Sequence, residues 1–290
     1  MNKIKILVPV YNDWQSVFEL LKNINSEVLA LDCEFSVIIV NDASTENRSE
    51  FSPNLSNLKS IQVINMKKNK GHARCNAAGL KYINEKEEFD YVIPMDGDGE
   101  DRPEELSLLI EKTKEYPDIV VTANRVKRSE GFIFKLCYLI HKYLTLVFTG
   151  QTIKYGNYTC LPKPVVDTMV IEPATWSSFS GSLAKIAKER KFVPSERGTR
   201  YFGPSKMSFV NLLKHSLSII SVFKTTLLIR SILFLIIYLF LIVGKISVIT
   251  LVPVIGVIIM MFSVMILSKR ENMTEFNNSL ENIESIDKIK

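Results

Sequence analysis

Two long stretches without a charged side chain, close to the C-terminal end, constrain the fold of this chain most. Residues 231–244 carry no charge and, with 225–230 before them, are long enough to cross a bilayer. Residues 246–268 are also uncharged and exceed the roughly 20 residues that a spanning helix needs. The pattern predicts a transmembrane helical hairpin, and a buried hairpin of a soluble protein is the alternative.

Charges at the ends of these stretches predict the orientation of the hairpin. Several basic residues precede the first span, Lys269 and Arg270 follow the second, and the short connection holds only Lys245. Positive residues concentrate on the cytoplasmic side, so both ends of the hairpin are expected there. The N-terminal apolar run is too short for a signal peptide. We therefore expect a multi-pass protein of the cell membrane whose N-terminal domain is cytoplasmic.

The remaining composition excludes several classes of protein. Hydrophobic residues make up 47% of the chain, but most of the excess follows residue 226. The four cysteines are far apart and form no CxxC pair, so neither a zinc site nor a disulfide framework is indicated. The net charge of +5 suits a phosphate-bearing ligand or an anionic membrane surface without requiring either. No nucleic-acid partner is expected.

Before residue 123 the apolar pattern alternates between the strand and the helix period. Continuous apolar runs of this kind are typical of buried parallel strands, and repeats at helical spacing follow them. Such alternation predicts an α/β domain with a mostly parallel sheet. The predicted strands are residues 4–10, 35–40, 61–66, 91–95 and 119–122, and the predicted helices include 71–82 and 103–116.

Polar loops follow three of the predicted strands, with the sequences PVYND, NDAST and DGDGED. Ligands of such sheets bind at the carboxyl ends of the strands. Strand alternation directs Asp96 and Asp98 to the same side, and Gly97 and Gly99 allow a close backbone approach. Paired carboxylates beside open space suit a divalent cation that also takes phosphate oxygens. A polar turn with solvated acids is the alternative.

The segment between residues 125 and 207 is less regular. Residues 132–148 are apolar and aromatic with interspersed basic side chains, which is typical of a helix lying flat on a membrane or of a partly buried core helix. Residues 196–207 form a compact basic loop with the sequence ERGTRYFGPSKM. From the residues alone, this loop is a solvated basic turn or a phosphate site.

The motifs in order are VPVYND, VNDAST, GHARCNAAGL, PMDGDGEDRPEEL and RYFGPSKM, followed by the membrane hairpin. This order resembles the family 2 glycosyltransferases, and most of all the branch with dolichyl-phosphate mannose synthase and polyprenyl-phosphate glycosyltransferases. The resemblance covers residues 3–207 and the hairpin. It implies a GT-A fold that binds a UDP- or GDP-sugar, with Mg²⁺ or Mn²⁺ as cofactor and polyprenyl phosphate as acceptor.

The resemblance also implies residue roles. Asp96 and Asp98 match the family's DxD, with Asp96 towards the ribose and Asp98 on the metal, and Glu100 stands where that branch usually has Gln, as a further metal or phosphate-site residue. Asp96, Asp98 and Glu100 are together the expected metal ligands. Arg200 and Lys206 are expected to serve catalysis at the lipid phosphate together with these acids. The expected nucleotide-sugar and phosphate contacts are Pro9, Tyr11, Asp13, Asp42, Asp96, Arg125 and Ser205.

Alternatives to this interpretation differ in the acceptor or in the class of protein. A glycan or lipid hydroxyl acceptor would need a general base, for which Glu100 and Asp101 are the nearest candidates. A non-catalytic nucleotide-sugar binder and a nucleotidyltransferase are further alternatives. The expected organisation is a GT-A domain (1–207), an interfacial segment (208–226), two transmembrane helices (227–268) and a loose polar cytoplasmic tail (269–290), in a possible homo-oligomer.

Overall fold

The computed structural model describes residues 1–48, 54–127, 132–204 and 209–290. Within them, one sheet of eight strands has the order β7-β5-β6-β4-β1-β2-β3-β8. Its centre is parallel, whereas β6 runs antiparallel to both of its neighbours and β8 runs antiparallel to β3. The strands are β1 (Asn2–Val10), β2 (Cys33–Asn41), β3 (Ser60–Met66), β4 (Tyr91–Pro94), β5 (Val120–Lys127), β6 (Tyr155–Pro162), β7 (Arg190–Glu196) and β8 (Ile283–Lys288).

Helices cover both faces of this sheet. The helices of the domain are α1 (Trp14–Glu27), α2 (His72–Lys86), α3 (Leu106–Glu115), α4 (Phe132–Thr149), α5 (Lys163–Ile171) and α6 (Phe179–Ile186). Because side chains alternate along a strand, Ile6 and Val8 of β1 pack on the face that α1 covers, and Leu7 packs on the face of α2. Two covered faces explain why the central strands are apolar throughout.

The five predicted strands correspond, in order along the chain, to β1 to β5. The strands β6 and β7 were not predicted, because they lie in the irregular middle segment and give no simple periodicity. The predicted helix 103–116 begins with a 3-10 turn at Pro103–Glu105 and continues as α3. Pro103, which suits the first turn of a helix, is the first residue of this 3-10 turn.

Two apolar helices follow the domain and its amphipathic helix α7 (Phe209–Ser221). The helices α8 (Lys224–Ile242) and α9 (Val248–Ser268) are long and apolar enough to cross a membrane, and 18-residue windows of these two segments have mean hydropathies of 2.4 and 2.7. Large apolar side chains stay uncovered on both, including Phe240 at 79% and Ile249 at 82% exposure. The prediction of a C-terminal apolar hairpin is confirmed.

The helix α4 packs against the first of these helices at its C-terminal end. Phe148 meets Phe234 edge-on with ring centroids 6.0 Å apart, and the Arg230 guanidinium donates to the Val147 carbonyl at 2.9 Å. Ile140 and Tyr143 on α4 are more than half exposed. This exposed apolar surface adjoins the two apolar helices α8 and α9.

The expectation of a loose tail after residue 268 is wrong. The tail segment, residues 271–290, forms the helix α10 (Met273–Asn277) and the strand β8, which pairs with the edge strand β3. Phe276 on α10 is fully buried. Most residues of β8 and α10 face solvent, which explains the polar composition of the tail. For this reason the sequence shows no sign that the tail packs on the domain. Both ends of the apolar hairpin therefore return to the same domain.

Candidate active site

The ends of three parallel strands bring the predicted polar loops together. The Asp42 amide donates to the Val10 carbonyl and the Met95 amide to the Leu7 carbonyl, each at 2.9 Å. The first two loops are joined by Asn12, whose side-chain oxygen accepts from the Thr45 amide at 2.8 Å. Asn12 has a positive φ of 51°, which asparagine tolerates better than most residues. These loops form one polar edge above the sheet.

Asp42 at this edge is almost fully buried. Its two carboxylate oxygens accept from the backbone amides of Lys70 and Gly71, each at 2.8 Å. Burial raises the pKa of Asp42, and the two amide donors oppose that rise. The carboxylate thus fixes the loop between β3 and α2. Nearby, Pro9 is buried within β1, and the Tyr11 side chain is 44% exposed at the rim.

Asp96 opens the acidic loop, residues 96–101, and touches two side chains from other elements. Its Oδ1 accepts from the Asn157 amide at 3.2 Å and lies 3.4 Å from His72 Nε2. Burial would raise the pKa of Asp96, but the neighbouring His72 and Arg125 side chains and the Asn157 amide hold this pKa below its usual value. Asp96 is therefore a carboxylate kept ionised inside the site.

Asp101 is a buried carboxyl group that supports this arrangement. Its Oδ2 accepts from the Asp96 amide at 2.9 Å, and its Oδ1 lies 3.7 Å from the Arg125 guanidinium. Burial, and next the charge of Asp96, raise the pKa of Asp101 to about 8. Asp101 thus shapes the turn from within the protein, and Arg125 approaches the same group of acids.

Asp98 and Asp13 share one guanidinium. Arg200 donates from Nη1 to Asp98 Oδ2 and from Nη2 to Asp13 Oδ2, the latter at 2.6 Å. Burial and the neighbouring Asp96 raise the pKa of Asp98 to about 6. Asp13 also accepts from the Ser16 hydroxyl at 2.7 Å. One arginine therefore connects the first loop with the acidic loop.

The part of the basic loop that the structure describes after β7, residues 197–204, lies directly on the acidic loop. The Gly198 amide donates to the Glu100 carbonyl and the Tyr201 amide to the Asp98 carbonyl, each at 2.9 Å. Arg197 Nε donates to Glu100 Oε2 at 2.8 Å. A Cβ at Gly198 would lie 2.3 Å from the Gly99 carbonyl oxygen, so only glycine permits this approach. Carboxylates and guanidinium groups thus alternate across one crevice.

The structure brings most of the predicted site residues to this crevice, but their roles stay predictions. Ser205 and Lys206 lie outside the described residues. Of the three expected metal ligands, Asp98 faces Arg200 and Glu100 faces Arg197. Within residues 1–48, 54–127, 132–204 and 209–290, no group of three or more His, Cys, Asp or Glu side chains is arranged to hold a metal.

Three residues that contribute to the crevice were not predicted as site residues from the sequence. Asn157 lies in a segment without a recognisable motif, and Arg197 precedes the RYFGPSKM motif within the basic loop, so only the fold brings them to the acidic loop. His72 lies 2.7 Å from the Asn157 amide nitrogen and beside Asp96. Its position at the start of α2, after a predicted strand, was the available signal.

Comparison with known families defines the class of protein. The model for glycosyl transferase family 2 matches residues 5–162, more than half of the chain, from β1 to the end of β6. The chain belongs to this family. It is also similar to the undecaprenyl-phosphate 4-deoxy-4-formamido-L-arabinose transferase of Salmonella choleraesuis (strain SC-B67), with 27% identity over 233 residues that cover 78% of this chain and 69% of that protein.

Solved structures confirm the fold. The mannosyl-3-phosphoglycerate synthase from Rubrobacter xylanophilus gives a TM-score of 0.56 at 12% identity, covering 76% of this chain and 72% of that one. The glucosyl-3-phosphoglycerate synthase from Mycobacterium tuberculosis, solved with Mn²⁺, UDP-glucose and phosphoglyceric acid, gives 0.54 at 14% identity and covers 79% of each chain. The predicted GT-A fold is therefore correct, and the chain is a glycosyltransferase by family.

Proposed function

We propose that this protein is a membrane-anchored glycosyltransferase that moves a sugar from a nucleotide-sugar donor to polyprenyl phosphate. The observation that carries the proposal is the docking of the basic loop on the acidic loop, just before the chain enters its two apolar helices. A charged crevice beside the membrane suits a reaction between a water-soluble anion and a lipid phosphate. The Salmonella relative, by its name, acts with undecaprenyl phosphate.

The donor is assigned to the edge formed by the first two loops and the acidic loop. Tyr11 and Asp13 belong to the first loop, which Asn12 joins to the loop of Asp42, and they would contact the base and ribose of a UDP- or GDP-sugar. Asp96, kept ionised by His72 and Asn157, would accept from the ribose hydroxyls. Arg125 would face phosphate oxygens, because a guanidinium donates to them in a planar fork.

The carboxylates of the acidic loop suit a divalent cation that takes only one or two protein carboxylates as ligands. Mg²⁺ is usually bound by one or two carboxylates and takes its other ligands from substrate phosphates and water. Asp98 and Asp96 offer such a set, and burial of negative charge here raises the pKa of Asp98. When bound, Mg²⁺ or Mn²⁺ would neutralise the departing nucleoside diphosphate. Glu100, engaged by Arg197, would need to exchange partners before it served as a ligand.

With a lipid phosphate as acceptor, the reaction would not require a strong general base. A lipid phosphate oxygen is already anionic and attacks the anomeric carbon in one inverting displacement, as the diphosphate leaves. The two carboxylates considered as bases are occupied: Asp101 holds the Asp96 amide and Glu100 accepts from Arg197. Arg200, with Lys206 of the following segment, would hold the lipid phosphate. This arrangement favours a phosphate acceptor over a hydroxyl acceptor.

The membrane location follows from the same layout. The apolar hairpin would anchor the protein, and the exposed apolar side chains of α4 would rest on the adjoining surface. The distribution of basic residues supports a cytoplasmic location of the domain. Pairing of hairpins between copies would give a homo-oligomer.

The proposal is tested with purified full-length protein, Mg²⁺ or Mn²⁺, a panel of labelled UDP- and GDP-sugars, and polyprenyl phosphate or the matching polyprenol. We expect acid-labile label in the lipid phase with one donor, only with the phosphate acceptor, and loss of transfer when EDTA is added. Transfer to polyprenol alone would replace the phosphate acceptor by a hydroxyl. Absence of donor turnover with every acceptor would contradict the proposal.

A further inference from the structure

The tail segment does more than close the edge of the sheet. Its strand β8 pairs with β3, and its helix α10 inserts Phe276, which stacks on Trp176 with ring centroids 5.3 Å apart. Trp176 belongs to the domain and is itself buried. The chain therefore leaves the second apolar helix and packs directly beside the loop that joins β3 to α2.

One carboxylate of the tail gathers side chains from this region. Glu275 Oε1 accepts from Lys70 Nζ at 2.9 Å, and its Oε2 accepts from Trp176 Nε1 at 2.9 Å. The Arg74 guanidinium lies 3.2 Å from the same Oε2 and 5.4 Å from the centre of the Trp176 ring. These contacts lower the pKa of Glu275 against the effect of burial. A single anion thus holds two cations together.

The residue that Glu275 holds also contacts Asp42. The Lys70 side chain reaches the tail, whereas its backbone amide donates to Asp42, and Gly71 adds a second amide. Glu275 and Asp42 therefore both bind the loop between β3 and α2, through the Lys70 side chain and through the Lys70 and Gly71 amides respectively. Between them lies a cavity of about 510 Å³ that Asp42, Lys70, Arg74, Trp176 and Glu275 help to line.

We propose that Glu275 is a positioning residue for the nucleotide-sugar site. It fixes the Lys70 side chain, so that the amides of Lys70 and Gly71 keep the Asp42 carboxylate in the orientation that binds the donor. Without the Glu275 charge, Lys70 and Arg74 repel each other and the loop moves away from Asp42. This inference rests on the proposed function, and it makes the segment beyond the membrane helices part of the donor site.

The test compares Glu275→Gln with Glu271→Gln in the full-length protein. Glutamine keeps an acceptor for Trp176 but removes the charge that holds Lys70 and Arg74. The control removes a carboxylate from the same tail segment, one that pairs with Lys224 at 3.1 Å and is not among the partners of Lys70 or Trp176. We measure donor KM, kcat, and hydrogen exchange of the peptide that contains Lys70 and Gly71.

Glu275→Gln should raise donor KM about 10-fold, the order expected for one lost charge-assisted contact, with kcat within about twofold. Exchange of the Lys70 and Gly71 amides should accelerate, and Glu271→Gln should change neither quantity. Lys70→Met removes the same contact from the other side and should reproduce the effect, with no further loss in the double variant.

Unchanged donor KM and unchanged exchange in Glu275→Gln would overturn the positioning role, even if the wild type transfers sugar. An equal fall of kcat in both glutamate variants would also overturn it, because it would show a general effect on the fold. A wild type that turns over no nucleotide sugar, with exchange still faster in Glu275→Gln, would instead refute the proposed function and leave the structural contact intact.

Discussion

Substitution of Gly198 by alanine tests how closely the basic loop must approach the acidic loop. The new Cβ would lie 2.3 Å from the Gly99 carbonyl oxygen, whereas ordinary contacts begin at 3.4 Å. The two loops must therefore separate by about 1 Å. That movement stretches the hydrogen bond from the Gly198 amide to the Glu100 carbonyl, now 2.9 Å, beyond bonding distance.

The cost follows from these two changes. Overpacking of a close contact costs about 1–3 kcal/mol and a lost backbone hydrogen bond about 0.5–1.5 kcal/mol, so we expect a destabilisation of about 2–4 kcal/mol. Activity should fall more. Arg197 and Arg200 flank the substitution, and a displacement of about 1 Å in a reacting site can cost about 100-fold in rate.

The measurements are the melting temperature in detergent and the rate of sugar transfer. Gly156→Ala is the matched control, since the nearest atom to its new Cβ is an Arg125 nitrogen at 3.6 Å. It should melt and turn over like the wild type. If Gly198→Ala also kept wild-type stability and rate, the close docking of the two loops would not be what holds this site together.

Two further predictions concern the tail and the acceptor. Phe276→Ala should lower the free energy of unfolding by about 3–5 kcal/mol, because the ring is fully buried on Trp176; unfolding in denaturant measures this, and a wild-type midpoint would mean that the tail is not packed. Lys206→Ala should raise KM for polyprenyl phosphate more than KM for the donor in steady-state kinetics, whereas equal increases would move Lys206 to the nucleotide.

The central part of the fold could be predicted from the sequence because short-range patterns of apolar and polar residues determine it. Apolar runs as in β1 and β2 predict buried parallel strands, and the carboxyl ends of such strands must converge, which placed Asp42, Asp96 and Asp98 at one edge. The two apolar helices were equally accessible, since length and absence of charge decide whether a segment crosses a membrane.

The remaining features depend on long-range contacts that leave no periodic signal. The pairing of β8 with β3 joins residues more than 200 positions apart, and its strand is mostly exposed, so its sequence is that of a polar tail. The bridge from Arg200 to Asp13 and Asp98 likewise depends on the path of the basic loop. The site's acids and Arg200 could be predicted, but the pairing of Arg200 with Asp13 and Asp98 could not.

Transfer of labelled sugar to polyprenyl phosphate by the wild type and by Asp98→Asn tests the central claim most directly. The substitution keeps the shape of the side chain but removes the charge that faces Arg200 and would hold the cation. We expect label in the lipid phase with the wild type and a loss of at least about 100-fold in Asp98→Asn, at an unchanged melting temperature. Near-normal transfer by Asp98→Asn, or donor hydrolysis without lipid product by the wild type, would contradict the account.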